Sequence, residues 1–590
     1  MAALRPAALE LSPCNAGSGL PESSSTYPAG LVQPHGIRLG VGVGGTFTDA
    51  VLTGAGASAH VAKVLSTPDD PSRAALEAMA MVLDEAGLSW SDVREVVHGS
   101  SIATNALVER EVGTTGLVTT LDARDAAHPL VPPELVRSLD ERVDDTGAVV
   151  TPLAENDVFC AAHALAQAGA VSLAIVLRNA ARNPSHERHV AALIEAAFPA
   201  MEVTISSDIA GDASGRERVA ATVANAALRP PMRYVKHLGE ELAALGYRRG
   251  LMVIQSDGAM VLGRAAARQP VRLVPSGGAA RRARQVEAGD HVAIDVGGTS
   301  CEIAIVAGGV RPGGPGGPPL PSADANEASH VVGIAAVGTG GGSVAHIADG
   351  ALAVGPLSVG GRPGPACFGE GGTQFTLTDA LLLLGLIAPE RFLGGRMRLD
   401  PGLAEAAAGP LCATLGLTPL ALAQRVHDTA VATIAAAVGQ LVAAQERGWG
   451  GRAIVPSGGA GAMLAAAVAE AVGLGEVIVR DNPAISACGL TTTQARPAWP
   501  APVVDVGRLR WVGTLPASTP IPRPAATGVD HAAASKTAGP PCWRRLDRAR
   551  LALHGSVDGP AIIAEDTTAT VVPPGWRVSL RPDGSLHLVR

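Results

Sequence analysis

The chain lacks paired cysteines, dense basic clusters and long apolar runs. These features are typical of zinc-binding or disulfide-rich proteins, of nucleic-acid-binding proteins and of membrane proteins, respectively. Its seven cysteines include no Cys-x-x-Cys pair, which argues against a zinc site and a disulfide framework and is typical of the reducing cytoplasm. The formal charge is −8 and no basic cluster is denser than Arg281, Arg282 and Arg284, so nucleic acid is not expected as a partner. No apolar run reaches membrane-spanning length, since the nearest, which starts at Thr429, is interrupted by Thr and Gln. Aromatic residues make up only 3%, so the core must be built mainly from Ala, Val and Leu.

The pattern of the remaining residues predicts an α/β protein of several domains. A chain of 590 residues is long enough for about two to four domains with large cores. Strand-like and helix-like segments alternate along most of it. A helix is predicted to open at Asp70-Pro71 and to close at Gly87, a strand to cover 250–255, and an amphipathic helix to cover 424–447. Residues 1–35 lack the pattern of a signal peptide and are predicted to be a disordered extension.

The most informative feature is a glycine hairpin that occurs twice, as GVGVGGTFTDAVL at 40–52 and as AIDVGGTSCEIAIV at 293–306. Each copy reads as a strand, a Gly-Gly-Thr turn and a second strand. Glycines at such a turn let backbone N–H groups converge on an anion, and the Thr supplies a hydroxyl for a phosphate or its metal. Because the turn leads into a strand, it is neither a Walker loop nor a Rossmann turn, which open helices. The repeat predicts one nucleotide held between two similar half-domains.

The carboxylates of the two copies differ. When the copies are superposed, Asp295 falls on Gly42, and Asp49 falls opposite Glu302. Mg²⁺ that shares its coordination with nucleotide phosphates usually takes one or two carboxylates. Asp295 is therefore predicted to act catalytically and with Mg²⁺. Asp49 is a second catalytic candidate, although an Asp at this place equally well hydrogen-bonds its own turn.

Two further glycine runs are candidate ligand contacts. The run 340–343 is too rich in Gly for a helix or strand interior, and a phosphate or sugar contact is favoured over a flexible loop. The turn 458–461 precedes a predicted helix, whose N-terminal N–H groups favour anions and polar ligand edges. With the hairpins, the predicted nucleotide-binding residues are Gly44, Gly45, Thr46, Thr48, Gly297, Gly298, Thr299, Gly340, Gly341, Gly342, Ser343, Gly458, Gly459 and Gly461.

An ordered set of motifs resembles the A-type (N-methylhydantoinase A-like) subunit of the hydantoinase/5-oxoprolinase family. The motifs include GGTFTD at 44–49, HGSSIATNALVER at 98–110, NPSHER at 183–188, DVGGTS at 295–300 and SGGAGA at 457–462. The resemblance implies an actin-like, sugar-kinase-like (ribonuclease H-like) fold, with two α/β ATPase domains around a nucleotide cleft. The predicted organisation is an N-terminal domain at 36–210, an ATPase domain at 211–500, a linker at 501–545 and a small C-terminal β module at 546–590.

The resemblance also implies an activity and partners. ATP would phosphorylate the oxygen of a cyclic amide such as 5-oxoproline or a hydantoin, which makes that oxygen a leaving group, and water would open the ring. A B-type subunit is the expected partner, ATP and Mg²⁺ are the expected cofactors, and the 458–461 turn would lie against adenosine.

Two other functions stay open. Gly42, Leu464 and Arg362 stand where the family usually has Asp, His and Asp, which leaves a nucleotide-binding pseudoenzyme or scaffold as an alternative. Relatives in the family activate ketones for carboxylation, so an ATP-using carboxylase subunit is a further alternative.

Histidine and cysteine residues near these motifs are interpreted as structural. His98 is predicted to be a hydrogen-bonded structural residue. The HERH segment at 186–189 lacks a third ligand and is predicted to be a solvated helix start rather than a metal site. Cys301 and Cys367 are predicted to be buried thiols.

Overall fold

The computed structural model describes residues 36–54, 59–211, 213, 215–255, 259–274, 290–308, 329–443, 451, 453–480, 543–548, 550–551, 555–565 and 568–590. The predictions for residues 1–35 and 501–542 lie outside these ranges. The strands are β1 Arg38–Val43, β2 Phe47–Thr53, β3 His60–Leu65, β4 Glu95–Ser100, β5 Thr115–Thr119, β6 Val136–Ser138, β7 Arg142–Val143, β8 Val149–Thr151, β9 Ser172–Val176, β10 Glu202–Ile205, β11 Leu251–Ile254, β12 Met260–Leu262, β13 His291–Val296, β14 Cys301–Gly308, β15 Ser329–Val337, β16 Ser343–Ala348, β17 Ala351–Ser358, β18 Ala453–Ser457, β19 Glu476–Val479, β20 Arg544–Asp547, β21 Ser556–Asp558, β22 Ala561–Ala564, β23 Ala569–Val572, β24 Arg577–Leu580 and β25 Leu586–Val589. The α-helices are α1 Pro71–Ala86, α2 Ile102–Glu109, α3 Ala123–Ala126, α4 Glu155–Gln167, α5 Ser185–Ala197, α6 Ser206–Ile209, α7 Gly215–Leu228, α8 Tyr234–Ala244, α9 Gly263–Ala266, α10 Leu377–Leu383, α11 Pro401–Leu415, α12 Pro419–Ala443 and α13 Gly461–Ala471.

The first glycine hairpin lies in a six-stranded sheet of order β12-β11-β4-β1-β2-β3. Strands β1 and β2 pair antiparallel, with Gly42 opposite Asp49. Helix α1 covers this sheet and has the predicted ends. The side chain of Asp70 accepts the N–H of Ser72 at its start, and Gly87 ends it in the left-handed conformation that favours glycine.

This sheet contains strands that lie after residue 210, where the N-terminal domain was predicted to end. The predicted strand at 250–255 is β11, and it pairs parallel with β4 next to the first hairpin strand. The apolar side chains of α8 and β11, including Leu238 and Val253, pack in the same core as Leu39 and Val41. The structural unit of the first hairpin therefore includes β11 and β12.

A second, four-stranded sheet of order β10-β9-β5-β6 lies within the N-terminal half of the chain. Its neighbouring strands pair in parallel. Parallel strands require crossover connections, and α4 and α5 lie before and after β9 in the sequence. Its core is separate from that of the first sheet and includes Leu165, Ile175 and Ile194.

The second glycine hairpin lies in an eight-stranded sheet of order β15-β14-β13-β18-β19-β25-β24-β21. Strands β13 and β14 repeat the geometry of the first hairpin, with Asp295 opposite Glu302. The C-terminal strands β25, β24 and β21 continue this sheet, because β25 pairs antiparallel with β19. The remaining C-terminal strands form a small sheet of order β20-β22-β23. Three of the six strands of the predicted C-terminal β module thus continue the sheet of the second domain.

The longest described helix, α12, is part of the core of the second domain. Among the described residues it is the one helix whose length and apolar composition would suffice to cross a membrane. The apolar pattern of the predicted helix places Val426, Ala430, Ile434, Val438 and Leu441 inward. The first four are buried in the core, and Leu441 is partly buried against it. The apolar composition of α12 is thus explained by packing inside the protein.

Candidate functional site

The two glycine hairpins line a single cleft. The space between its walls is about 1470 Å³, part of which is open to solvent. Most of the predicted site residues line it, namely Gly44, Gly45, Thr46, Asp49, Asp295, Gly297, Gly298, Thr299, Gly341, Gly342, Gly458 and Gly459. Four predicted residues are not in the lining: Thr48, Gly340, Ser343 and Gly461. Thr48 is fully buried, and its hydroxyl is 3.0 Å from that of Ser66.

The hairpins contact each other reciprocally through threonine and glycine. A Cβ added to Gly45 would lie 2.5 Å from Thr299 Oγ1, and one added to Gly298 would overlap Thr46 Oγ1 and Cβ. Each threonine side chain therefore lies against the glycine of the opposite hairpin. Gly45 and Gly298 are required for this close approach, independently of any ligand.

The hairpin turns keep backbone amides that have no acceptor in the described part of the chain. The amides of Gly44 and Gly297 close the turns, because they donate to Phe47 O and Ser300 O, both at 3.0 Å. The next two amides in each turn, those of Gly45 and Thr46 and of Gly298 and Thr299, have no such acceptor there. The hydroxyl of Thr46 is also buried without a hydrogen-bond partner among the described residues. A buried hydroxyl without a partner is rare, and together with these amides it is suited to an anion.

The predicted ligand role of the 340–343 run needs correction. The amide of Gly340 donates to Ser343 Oγ at 2.8 Å, and the amide of Gly341 donates to Gly297 O at 2.9 Å. The amide of Gly342 donates to Gly298 O, and that of Ser343 to Gly340 O. These amides have protein acceptors, so they are not available to phosphate or sugar in this arrangement. The run is thus hydrogen-bonded to the second hairpin, although Gly341 and Gly342 still line the cleft.

The 458–461 turn lies directly against the second hairpin. The amide of Ala460 donates to Val296 O at 3.2 Å. Gly458 has a φ of 83°, and a Cβ there would lie 2.5 Å from Asp295 Oδ1. A Cβ on Gly459 would meet no atom within 4 Å. Gly458 thus allows the backbone to approach Asp295 closely, whereas Gly459 borders open space.

Three carboxylates and one lysine line the cleft near the hairpins: Asp49, Asp295, Glu302 and Lys63. Lys63 Nζ lies 3.4 Å from Asp49 Oδ2, with both side chains about 95% buried, and 5.2 Å from the centre of the Phe47 ring. No group of three or more metal-ligating side chains lies in the described ranges. The carboxylates suit a Mg²⁺ that takes its other ligands from phosphate and water.

Lys63 was not identified from the sequence, although a signal was present. It lies on β3 directly opposite Asp49 on β2. Had β3 been predicted to pair with the hairpin, the alternation of its residues would have placed Lys63 on the same face as Asp49.

The two hairpin domains are also joined at the cleft by the segment at 98–110. Ser300 Oγ donates to Asn105 Oδ1 at 2.8 Å, and Thr104 Oγ1 donates to Glu302 Oε1 at 3.5 Å. His98 itself is fully buried and hydrogen-bonded to Val41 O and Tyr234 Oη, at 3.1 and 2.8 Å. His98 is therefore a structural residue, as predicted.

The C-terminal strands contribute lining residues that sequence analysis missed. Arg545, Ala564, Glu565, Thr568 and Ala569 all border the cleft. Thr568 Oγ1 donates to Gly459 O at 2.9 Å. These residues are distant in sequence from every glycine motif, so only the tertiary fold brings them to the cleft.

Family models match most of the chain. The hydantoinase/oxoprolinase N-terminal region matches residues 38–198, and the hydantoinase/oxoprolinase model matches residues 218–498. The chain belongs to the hydantoinase/oxoprolinase family.

Relatives within this family are subunits of ATP-dependent and carboxylating enzymes. The α subunit of caprolactamase from Pseudomonas jessenii is 29% identical over 482 residues, which cover 75% of this chain and 68% of that subunit. The γ subunit of acetophenone carboxylase from Aromatoleum aromaticum is 31% identical over 411 residues, which cover 62% of this chain and 56% of that subunit. Nucleotide-free acetone carboxylase superposes with a TM-score of 0.73 at 20% identity, covering 94% of this chain and 99% of that one. The last match shows the fold, which is the predicted α/β fold with actin-like ATPase-type domains.

The three residues that the resemblance marks as departures, Gly42, Leu464 and Arg362, lie outside the cleft lining. Gly42 is on β1, one residue before the lining begins at Val43. Leu464 is fully buried in the core of the second domain, and Arg362 is exposed. Of the three, only Gly42 is adjacent to a candidate functional carboxylate, since it lies opposite Asp49.

The remaining predicted histidine and cysteine roles agree with the structure in part. His186 is hydrogen-bonded to Glu141 at 2.5 Å and His189 to Glu155 at 2.8 Å, but Glu187 between them is fully buried. The helix start is therefore only partly solvated. Cys301 and Cys367 are buried, and burial raises the pKa of each thiol above its ordinary value.

Proposed function

We propose that this chain is the ATP-binding A-type subunit of an enzyme that hydrolyses a cyclic amide such as 5-oxoproline or a hydantoin. The observation that carries the proposal is the single cleft lined by both glycine hairpins, in which amides and a threonine hydroxyl have no protein partner among the described residues. Membership of the hydantoinase/oxoprolinase family and the likeness to a caprolactamase subunit support the choice of a lactam-like substrate.

The hairpin residues have the chemistry to hold a triphosphate. The amides of Gly45, Thr46, Gly298 and Thr299 and the hydroxyl of Thr46 would donate to phosphate oxygens. Bound ATP supplies a phosphoryl group that turns the poor leaving oxygen of an amide into a good one. In this kind of reaction the protein contributes chiefly positioning and charge neutralisation.

The charge of the cleft supports a divalent cation as the companion of the nucleotide. Asp49, Asp295 and Glu302 would repel a polyanion that binds at the hairpins. Asp295, next to the glycines of the second hairpin, is the proposed Mg²⁺ ligand and catalytic carboxylate, and Asp49 is the second catalytic candidate. Mg²⁺ would neutralise the repulsion and share its coordination between carboxylate and phosphate.

A partner subunit belongs to the proposal. The caprolactamase and acetophenone carboxylase relatives are named as subunits, which supports a complex for this chain too. We propose a B-type hydantoinase subunit as that partner and the cytoplasm as the location.

Phosphate release in the presence of candidate lactams tests the proposal. The protein, purified with its B-type subunit, should release phosphate from Mg-ATP when 5-oxoproline, a hydantoin or caprolactam is added. Asp295→Asn should abolish this release, whereas Asp349→Asn, at an exposed turn outside the cleft lining, should not change it. Absence of stimulation by every lactam would refute the cyclic-amidase function.

An ATP-using carboxylase subunit is the second candidate. The superposition with acetone carboxylase and the 31% identity to an acetophenone carboxylase subunit favour it. The same assay with a ketone distinguishes the two functions, because ATP consumption by a carboxylase depends on bicarbonate and lactam hydrolysis does not.

The pseudoenzyme alternative depends on Gly42. Gly42→Asp introduces a carboxylate opposite Asp49. If this variant turns over ATP and the parent protein does not, the parent is a nucleotide-binding scaffold; turnover by the parent refutes that alternative.

A further inference from the structure

We infer that an apolar wall in the cleft binds the ring of the acceptor substrate, and that this ring is a neutral lactam without a carboxylate. The apolar wall consists of Phe47, Ile387, Ala388, Phe392 and Leu393. This inference rests on the proposed cyclic-amidase function and deepens it, because it names the residues that contact the ring and the class of ring that they accept.

The apolar wall is built from both halves of the protein. Phe47 follows the Gly-Gly-Thr turn of the first hairpin, and the other four residues belong to the segment 387–393 of the second domain. The ring centroids of Phe47 and Phe392 are 5.9 Å apart, and both rings pack on Phe368, at 6.1 and 5.4 Å. Phe368 is only 6% exposed, whereas Phe47 and Phe392 are partly exposed and line the cleft. A buried ring thus supports two rings that border the ligand space.

Leu393 lines the cleft in a backbone conformation that leucine rarely adopts. Its φ is 53° and its ψ is 40°, and the next two residues, Gly394 and Gly395, also have positive φ, at 67° and 84°. Glycine adopts the left-handed region readily, so the turn alone does not explain a leucine at this position. Residues held in such conformations cluster at active sites and ligand-binding sites. The side chain of Leu393 is therefore assigned to the ligand.

The apolar wall is held next to the proposed phosphate site. Arg396 Nη2 donates to Lys63 O at 2.7 Å, and Arg396 Nε donates to Leu393 O at 3.1 Å. Lys63 Nζ lies 5.2 Å from the centre of the Phe47 ring. Because Phe47 directly follows Thr46, a ring on this wall lies beside the turn whose amides would bind phosphate. Transfer of a phosphoryl group to the amide oxygen of the ring requires such proximity.

The charges of the cleft favour a ring without a carboxylate. The lining contains three cations, and each already has an acceptor in the protein. Lys63 lies 3.4 Å from Asp49, Arg391 lies 2.6 Å from Asp547, and Arg545 donates to Gly385 O. A substrate carboxylate would have to compete with one of these acceptors, whereas the ring carbons of a neutral lactam need only an apolar surface.

Two lactams that differ only in a carboxylate, 2-pyrrolidinone and 5-oxoproline, test the class of ring. Their binding to the full chain loaded with Mg²⁺ and the β,γ-imido analogue of ATP would be measured by ligand-observed NMR titration. We expect 2-pyrrolidinone to bind at least about threefold more tightly than 5-oxoproline.

Substitutions in the apolar wall test the site of binding. Phe392→Ala should weaken 2-pyrrolidinone at least about fivefold, and Leu393→Gly, which suits the observed backbone, about threefold. Phe392→Tyr keeps the ring and should stay within about twofold of the parent. Affinity for the ATP analogue, measured by calorimetry, should change by less than about twofold in all three. Phe159→Ala, at an exposed position on α4 outside the cleft lining, is the matched control and should change neither affinity.

The outcomes separate this inference from the proposed function. Equal affinity for the two lactams, or tighter binding of 5-oxoproline, would overturn the neutral ring. Unchanged lactam affinity in Phe392→Ala and Leu393→Gly, or an equal loss of lactam and nucleotide, would overturn the apolar wall as the ring site. A parent protein that binds no lactam would also overturn the inference, whereas lactam-dependent phosphate release with the B-type subunit decides the proposed function separately.

Discussion

The reciprocal contact of the hairpins gives a sharp prediction, because neighbouring glycines differ in their surroundings. A Cβ on Gly298 would come closer than 3.0 Å to the Thr46 side chain, whereas a Cβ on Gly297 would have its nearest neighbour, Ser300 O, at 3.5 Å. Gly298→Ala must therefore displace one hairpin from the other, and overpacking of this kind costs about 1–3 kcal/mol of unfolding free energy. Gly297→Ala requires no displacement.

The comparison of these two variants isolates the contact. Each substitution restricts the unfolded chain to the same extent, an effect of about 0.4–1 kcal/mol that cancels in their difference. Urea denaturation should therefore find Gly298→Ala less stable than Gly297→Ala by about 1–3 kcal/mol. Thr46→Gly in the Gly298→Ala background should recover most of this difference, since it removes the atoms that overlap.

Ligand binding provides a second measurement. Gly298→Ala should also weaken the binding of Mg-ATP, because displacing one hairpin from the other separates the amides that we propose bind one triphosphate. Equal stability of the two variants, or failure of Thr46→Gly to restore the double variant, would refute the reciprocal contact as the reason for these glycines.

Further predictions concern buried charged and nucleophilic groups. Lys63→Met leaves a buried carboxylate without its lysine and should lower the unfolding free energy by about 3–5 kcal/mol in urea, against less than about 0.5 kcal/mol for the exposed Lys236→Met. Cys301, whose thiol pKa is raised by burial, should resist iodoacetamide at pH near 8 in the folded protein while the exposed Cys160 reacts, as peptide mass spectrometry would show. Burial and a neighbouring carboxylate raise the pKa of Glu109 from 4.5 to about 7, so the folded protein binds a proton there that the unfolded chain has lost. The unfolding free energy of the parent protein should thus fall as pH rises from about 4.5 to 7, and the Glu109→Gln substitution should reduce this fall. If the parent and the Glu109→Gln variant show the same dependence of unfolding free energy on pH, the raised pKa of Glu109 is refuted.

Local features of the fold were predictable from the sequence. The hairpins repeat a short pattern whose turn chemistry depends only on neighbouring residues, and the structure places Asp295 opposite Glu302 and Gly42 opposite Asp49, as superposing the copies requires. The ends of α1 followed from Asp70 and Gly87 for the same reason, since capping is a local interaction.

Features that depend on distant pairing were not predictable. The strand β11 was identified, but nothing in residues 250–255 says that it pairs with β4, about 150 residues earlier, rather than with its neighbours in sequence. Likewise, Gly341 and Gly342 suggest free amides, and only the tertiary fold places the carbonyls of Gly297 and Gly298 as their acceptors. Thr568 at the cleft has no sequence signal at all, because its partner is a backbone carbonyl.

The contact between the two Gly-Gly-Thr turns also limits how the halves of the protein can move. Each threonine lies against a glycine of the opposite sheet, so the two turns cannot come closer together than these side chains allow. A larger side chain in either glycine–threonine pair would therefore change the distance between the amides of the two turns.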